Sequence, residues 1–119
     1  MLVVYDSKTG NVRRFIRKLS VRSLQIEEAM IAQEPFVLVT YTTGFGQVPE
    51  RVASFLRDNG DYLQGVAASG NRNWGTGFAL SADKIAAEYK VPILAKFELA
   101  GTQRDVQQFM MGVDEVAAY

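Results

Sequence analysis

Three short segments combine the residue types and spacing that could bind a ligand. They are Ser7-Lys8-Thr9-Gly10-Asn11, Thr42-Thr43-Gly44-Phe45-Gly46 and Ser69-Gly70-Asn71-Arg72-Asn73-Trp74-Gly75. Five of the ten glycines of the chain and its one tryptophan lie in these segments. Hydroxyl and amide side chains next to glycine allow hydrogen bonding and a close approach of the backbone to a ligand. We therefore treat the three segments as candidate binding loops.

The residue types that the chain lacks limit its own chemistry. Its 119 residues include no cysteine and no histidine, so thiolate nucleophiles, imidazole bases, disulfides and the softer metal ligands are excluded. Catalysis near neutral pH by its own side chains would need a carboxylate or a lysine. Any redox chemistry therefore has to come from a bound cofactor.

The first segment joins a strand pattern to a helix pattern, and we interpret it as a phosphate-binding loop. Ser7, Thr9 and Asn11 can hydrogen-bond a phosphate, and the backbone N–H groups at a helix N-terminus favour an anion. The spacings of the Walker loop and of the dinucleotide-binding motif are both absent. The alternative is an ordinary strand-to-helix turn in which Asn11 caps the helix.

The second segment is short of bulky side chains except for Phe45. Gly44 and Gly46 flank that residue, so backbone N–H and C=O groups can approach a planar ligand closely and can change orientation. A tight turn before Pro49 explains the same glycine spacing equally well.

The third segment places Trp74 in a polar, glycine-flanked loop, where it could stack on an aromatic ligand. Asn71 and Asn73 could supply in-plane hydrogen bonds to that ligand. The alternatives are that the tryptophan caps the core and that the asparagines close turns on themselves.

The elements that must position these loops follow from alternating strand and helix patterns, which are typical of an α/β sheet. Strands are predicted at residues 2–5, 24–26, 36–41, 65–69 and 93–99, and helices at residues 12–19, 49–59, 78–89 and 102–113. The first, third and fourth strands have the continuous apolar character of interior strands, whereas the second is short and the fifth alternates. These assignments predict a doubly wound, five-stranded parallel sheet of order 2-1-3-4-5 with helices on both faces.

The predicted topology brings the three loops together. They follow the first, third and fourth strands, and ligands of open α/β sheets bind outside the carboxyl ends of the strands. The sequence therefore predicts one binding site at this edge of the sheet.

The composition argues against several classes of partner. Thirteen basic and thirteen acidic residues give a formal net charge of zero, so the basic face of a nucleic-acid-binding protein is not expected. No apolar run approaches the ~20 residues of a membrane span, and the first strand pattern begins at Met1, which leaves no room for a cleavable leader. We expect residues 1–119 to form a single cytoplasmic domain that binds neither nucleic acid nor membranes.

Several motifs resemble a known family. Ser7-x-Thr9-Gly10-Asn11 is similar to the FMN-phosphate loop of flavodoxins. Ala68-Ser69-Gly70-Asn71-Arg72-Asn73-Trp74-Gly75 resembles the corresponding segment of the NrdI family, the flavodoxin branch associated with class Ib ribonucleotide reductase. Further matches are Tyr41-Thr42-Thr43-Gly44-Phe45-Gly46-x-Val48-Pro49 and Phe97-Glu98-Leu99-x-Gly101-Thr102. The similarity covers essentially the whole chain, and the short middle loop resembles that of Bacillus-type members.

The resemblance implies a flavodoxin-like fold, an FMN cofactor and a specific set of binding residues. The phosphate would be bound by Ser7, Lys8, Thr9, Gly10, Asn11 and Val12. The isoalloxazine would lie between Thr42, Thr43, Gly44, Phe45 and Gly46 on one side and Ser69, Gly70, Asn71, Asn73, Trp74 and Gly75 on the other. No metal ligands and no catalytic side chains are expected.

The resemblance also implies a function. Members of the family reduce oxygen with their FMN, and the resulting oxidant helps to generate the tyrosyl radical at the dimanganese site of the reductase small subunit. That subunit would be the partner, and an unidentified flavodoxin reductase or redoxin would supply electrons. The chain would then be a redox accessory flavoprotein.

Two other functions have to be weighed. A general electron-transfer flavodoxin usually carries strong patches of one charge, whereas this chain has a balanced total. A cofactor-free receiver domain would need clustered carboxylates after the first strand and an acceptor aspartate after the third. The sequence has Asp6 followed by Ser7 at the first place, and Thr42 and Thr43 at the second.

Overall fold

The structure of the protein is a computed structural model that describes residues 1–27, 31–44 and 46–118. In this part of the chain five parallel strands form one sheet: β1 (Leu2–Tyr5), β2 (Ser23–Gln25), β3 (Phe36–Tyr41), β4 (Leu63–Gly70) and β5 (Ile93–Glu98). Their order is β2-β1-β3-β4-β5. The predicted doubly wound order is confirmed.

Four α-helices connect and follow the strands: α1 (Asn11–Arg17), α2 (Glu50–Asn59), α3 (Leu80–Tyr89) and α4 (Gln103–Ala117). Two short 3-10 helices, Gly60–Tyr62 and Arg72–Gly77, were not predicted. Among the described residues no helix is both long and apolar enough to cross a membrane.

Each face of the sheet is buried by one pair of helices. On one face α2 and α3 contribute Val52, Phe55, Leu56, Ala82 and Ile85. On the other face α1 and α4 contribute Val12, Phe15, Ile16, Val106, Phe109 and Val113. Every apolar residue of β3 before Tyr41 is fully buried, as expected of a central parallel strand.

Three aromatic rings fix α1 against the far edge of the sheet. Phe15 of α1 stacks on Phe97 of β5, with ring centroids 4.0 Å apart and planes 8° apart. Phe109 of α4 meets Phe15 edge-on at 5.6 Å. Such pairs stabilise by about 0.5–1.5 kcal/mol beyond the area they bury. The start of α1, and with it the first candidate loop, is thereby held at the carboxyl edge of the sheet.

The burial pattern of β5 differs from the predicted alternation. Ala95 and Phe97 are buried as predicted, but Leu94 is buried too, while Ile93 and Leu99 are exposed. The pairing with β4 shifts in register between Val66↔Ile93 and Ala67↔Ala95, so that Leu94 is an extra, bulged residue. A bulge places two consecutive side chains on the same face, which no simple two-residue period can predict.

The N-terminus of α4 forms a capping box. The Oγ1 of Thr102 accepts the Asp105 N–H at 3.2 Å, and the Asp105 carboxylate accepts the Thr102 N–H at 2.8 Å. This reciprocal pair satisfies two backbone donors that the helix itself cannot satisfy.

Candidate functional site

A cleft of about 400 Å³ opens at the carboxyl edge of the sheet, a volume typical of small-molecule sites. Its lining residues are Lys8, Thr9, Asn11, Tyr41, Thr42, Thr43, Gly44, Ser69, Gly70, Asn71, Trp74, Gly77, Glu98 and Leu99. All three loops identified in the sequence contribute to this lining. The topology has therefore brought them to one cavity.

The predicted site residues divide into two groups by position. Those that line the cleft are Lys8, Thr9, Asn11, Thr42, Thr43, Gly44, Ser69, Gly70, Asn71 and Trp74. Those that lie beside it in the chain are Ser7, Gly10, Val12, Gly46, Asn73 and Gly75. The side chain of Val12 is buried in the core under α1, so only its backbone faces the first loop. Phe45 lies outside the described residues.

Four lining residues were not among the predicted site residues. They are Tyr41, Gly77, Glu98 and Leu99. Glu98 and Leu99 follow from the same rule that identified the other loops, because they stand at the carboxyl end of β5. The prediction considered only the carboxyl ends of the three interior strands, whereas β5 lies at the edge of the sheet.

The first loop presents backbone donors at the start of α1. Gly10 is the N-cap residue with φ +91°, and as a glycine it supplies no side-chain cap. Asn11 does not act as the cap, because its Oδ1 accepts a hydrogen bond from Arg14 Nη1 at 2.9 Å. Within the described part of the chain the N–H groups of Asn11 and Val12 meet no acceptor. Uncapped N–H groups at a helix start attract an anion.

Side-chain charges near the first loop are also favourable to an anion. Lys8 lines the cleft, and the Arg14 guanidinium lies so close to Gly10 that a Cβ at that glycine would be 3.5 Å from Nη2. Ser7 Oγ accepts the N–H of Arg13 at 3.3 Å. The hydroxyl of Ser7 thus orders the loop from within, and Thr9 is left as the exposed hydroxyl that lines the cleft.

The middle loop is a closed turn. Thr43 and Gln47 exchange two backbone hydrogen bonds of 3.0 and 2.7 Å, and Gly44 and Gly46 both have positive φ, +54° and +91°. Thr42 Oγ1 lies 2.8 Å from Ser81 Oγ of α3. The tight turn weighed as an alternative is therefore present, and its first half, through Gly44, also lines the cleft.

The third loop holds Trp74 at the mouth of the cleft. Trp74 is 45% exposed and lines the cleft, which favours contact with a ligand over the alternative in which it caps the core. Asn71 closes the turn on itself, because its Oδ1 accepts the Asn73 N–H at 2.9 Å and its carbonyl accepts the Trp74 N–H at 3.1 Å. A locally ordered turn thus holds an aromatic side chain beside the cleft.

One buried carboxyl group lies directly before the first loop in the chain. Asp6 follows β1 and is 3% exposed. Burial raises the pKa of Asp6 above its usual 3.8, while the positive charge of Arg51 and the backbone hydrogen bond from Ser7 act in the opposite direction. Burial raises the pKa of Tyr41, the charge of Asp6 raises it further, and the charge of Arg51 acts in the opposite direction. The ionised form of Asp6 is therefore disfavoured in the folded protein.

We expect Asp6→Asn to raise the free energy of unfolding at pH 7. A raised pKa in the folded state means that the folded protein binds the proton more tightly than the unfolded chain. This group therefore favours folding most below pH 3.8, and its contribution falls as the pH rises through the folded-state pKa. The gain of Asp6→Asn should shrink as the pH falls toward 4 in urea unfolding measured from pH 4 to 7. The exposed Asp114→Asn is the control, and an equal response of both variants would contradict the prediction.

A protein-family model described as "NrdI Flavodoxin like" matches residues 3–111 of the chain. A Bacillus licheniformis relative named Protein NrdI is 54% identical over 115 residues, which cover 96% of this chain and 88% of that protein. The Protein NrdI of Macrococcus caseolyticus is 47% identical and covers 100% and 93% of the two chains. The SPbeta prophage-derived protein NrdI of Bacillus subtilis is 44% identical and covers 93% and 89%.

Solved structures with the same fold include two flavodoxins. A Streptococcus pneumoniae TIGR4 flavodoxin superposes with a TM-score of 0.66 at 21% identity, covering 98% of this chain and 97% of that one. A short-chain flavodoxin associated with a non-canonical PDU bacterial microcompartment gives 0.65 at 24% identity with the same coverage. At this identity the likeness establishes the flavodoxin-like fold, as expected from the sequence.

Proposed function

Because the chain belongs to the NrdI family of flavodoxin-like proteins, we propose that it binds one FMN in the cleft and activates the small subunit of a class Ib ribonucleotide reductase. A flavin cofactor is consistent with that family and with its flavodoxin-like fold. Once reduced by an external electron donor, the bound FMN would supply the redox chemistry, which is the reduction of oxygen to the oxidant that the small subunit needs to form its tyrosyl radical at a dimanganese site.

The residues present fit this cofactor at both of its ends. At one end the uncapped N–H groups of Asn11 and Val12 and the cation of Lys8 suit a phosphate dianion. At the other end Trp74 offers an aromatic face, and the turn at Gly44 offers backbone groups. One observation supports the proposal most directly: the N-terminus of α1, which suits a phosphate, and the exposed Trp74 line the same cleft of about 400 Å³.

The chain's own residues bind and orient the cofactor. Lys8 and the start of α1 hold the charged end at the carboxyl edge of β1, while the turn closed by Thr43 and Gln47 and the loop of Trp74 confine the ring. The cleft is open to solvent along its mouth, where Trp74 and Leu99 are 45% and 68% exposed. Oxygen and a protein partner can reach a ring held there.

The test of this function is radical formation in a reconstituted system. The FMN-loaded protein is reduced without oxygen, mixed with manganese-loaded small subunit and exposed to air, and the tyrosyl radical is measured by electron paramagnetic resonance. We expect the radical to require the loaded protein, with reduced free FMN at the same concentration as the control. If the loaded protein gives no more radical than free FMN, the proposed function is wrong and a general electron carrier becomes the better explanation.

We expect Trp74→Ala to weaken FMN binding and to restore part of the flavin fluorescence that the native protein quenches. Stacking on an aromatic ring contributes about 0.5–1.5 kcal/mol, so the affinity should fall about twofold to twelvefold. Flavin fluorescence titration of the apoprotein measures both effects. Substitution of the exposed Tyr62, which does not line the cleft, is the control. Unchanged fluorescence and affinity would mean that Trp74 does not contact the ring.

A further inference from the structure

The two ends of the loop that carries Trp74 lie next to each other. Gly70 ends β4, and Ala79 precedes α3. A Cβ added at Gly70 would lie 2.5 Å from the Ala79 backbone nitrogen, so the two backbones are in close contact. The segment 71–78 is therefore a compact loop with adjacent ends, and its tip forms part of the cleft wall.

Two alternate residues of β5 hold the two ends of this loop. Glu98 Oε2 accepts the backbone N–H of Arg72 at 2.9 Å, at the beginning of the segment. Lys96 Nζ donates to the carbonyl oxygen of Phe78 at 3.3 Å, at its end. Residues 96 and 98 project on the same face of the strand, so one edge strand supplies both contacts.

Both supports are themselves anchored. Lys96 also forms an ion pair with Asp83 of α3. The turn after Glu98 is tied to α1, because Lys18 Nζ donates to the carbonyl oxygens of Ala100 and Gly101 at 3.0 and 2.8 Å. The loop thus rests on groups that three different elements keep in place.

The two ends of the loop also contact each other. The Arg72 guanidinium lies over the Phe78 ring, 4.5 Å from its centroid. The Arg72 side chain is therefore directed to the far end of the loop, while its backbone N–H is used by Glu98. Each tether acts on a backbone group, which makes its effect independent of the loop's own side chains.

We propose that Glu98 and Lys96 are positioning residues that hold Trp74 beside the cleft before any cofactor binds. A loop ordered in advance loses less conformational entropy when a ligand arrives, which increases affinity without a new contact. This inference rests on the proposed function only for the identity of the ligand. The ordering of the loop belongs to the free protein.

The single tryptophan makes the proposal directly measurable. In the apoprotein, fluorescence excited at wavelengths that tryptophan absorbs and tyrosine does not, and its quenching by acrylamide, report on the Trp74 loop alone. We expect Glu98→Ala to increase the acrylamide quenching constant about twofold and to weaken FMN binding about tenfold, as for a lost charge-assisted hydrogen bond. We expect Glu98→Gln to stay close to the native protein, since its amide oxygen can still accept the Arg72 N–H.

A second variant and a control keep the test independent of folding. Lys96→Met removes the other tether while retaining an apolar stem, and it should give the same direction of change in both readouts. Asp114→Ala removes an exposed carboxylate from α4 and should change neither. The proposal would be overturned if Glu98→Ala had the native acrylamide quenching constant. It would also be overturned if Glu98→Ala and Glu98→Gln lost FMN affinity equally. Because quenching needs no ligand, this readout stands even if the native protein fails to bind FMN.

Discussion

Apoprotein titrated with FMN and with riboflavin is expected to bind FMN about a hundredfold to ten-thousandfold more tightly. The two ligands differ only in the phosphate, which the start of α1 and Lys8 are placed to receive. Two hydrogen bonds to a charged group, each worth about 1.5–3 kcal/mol net, account for a difference of this size. Quenching of flavin fluorescence gives both dissociation constants. Equal affinities would remove the phosphate role from this loop.

A variant of Thr9 tests the same loop at a single atom. Thr9→Val keeps the side-chain shape but removes the hydroxyl that lines the cleft, so FMN affinity should fall about tenfold while riboflavin affinity stays unchanged. The matched control is Thr76→Val, another exposed threonine that does not line the cleft. If Thr9→Val weakens both ligands equally, its hydroxyl does not act on the phosphate.

Much of the fold could be predicted because the hydrophobic pattern of most segments matches the burial of their residues in the structure. The continuous apolar run of β3 marks a central strand, and the Thr102–Asp105 pair marks the start of α4. The bulge at Leu94 could not be predicted, because it results from the register between two strands that are distant in sequence. The helix at Arg72–Gly77 was missed for a related reason: its turns are held by Asn71 and by β5 rather than by any helical period.

The position of the site could be predicted from one rule, that ligands of open α/β sheets bind outside the carboxyl ends of the strands. That rule located the three loops at the carboxyl ends of β1, β3 and β4, and the structure places them around one cleft. That rule does not predict which group donates and which accepts in each hydrogen bond. Ser7 accepts from the backbone of α1, and Asn11 pairs with Arg14 instead of capping the helix. These choices depend on side-chain conformations that the local sequence leaves open.

Gly70→Ala is expected to destabilise the protein by about 1–3 kcal/mol and to weaken binding of FMN and riboflavin alike. Its added methyl group would lie 2.5 Å from the backbone nitrogen and 2.9 Å from the Cα of Ala79. Neither atom can move aside alone, because Ala79 is fully buried with φ +48°. Relief therefore requires one end of the Trp74 loop to shift. Urea unfolding and flavin titration measure the two effects.

Gly77→Ala is the matched control within the same loop. Its Cβ would meet only Trp74 Cβ, at 3.7 Å, and its φ lies outside the left-handed range, so its stability should stay within about 0.5 kcal/mol of the native value. The ratio of FMN to riboflavin affinity separates the two halves of the site. Gly70→Ala should lower both affinities and preserve their ratio, because we propose that the Trp74 loop contacts the ring that the ligands share, whereas Thr9→Val should change the ratio. A Gly70→Ala protein with native stability, or with a loss confined to FMN, would contradict this division of the cleft into a phosphate end and a ring end.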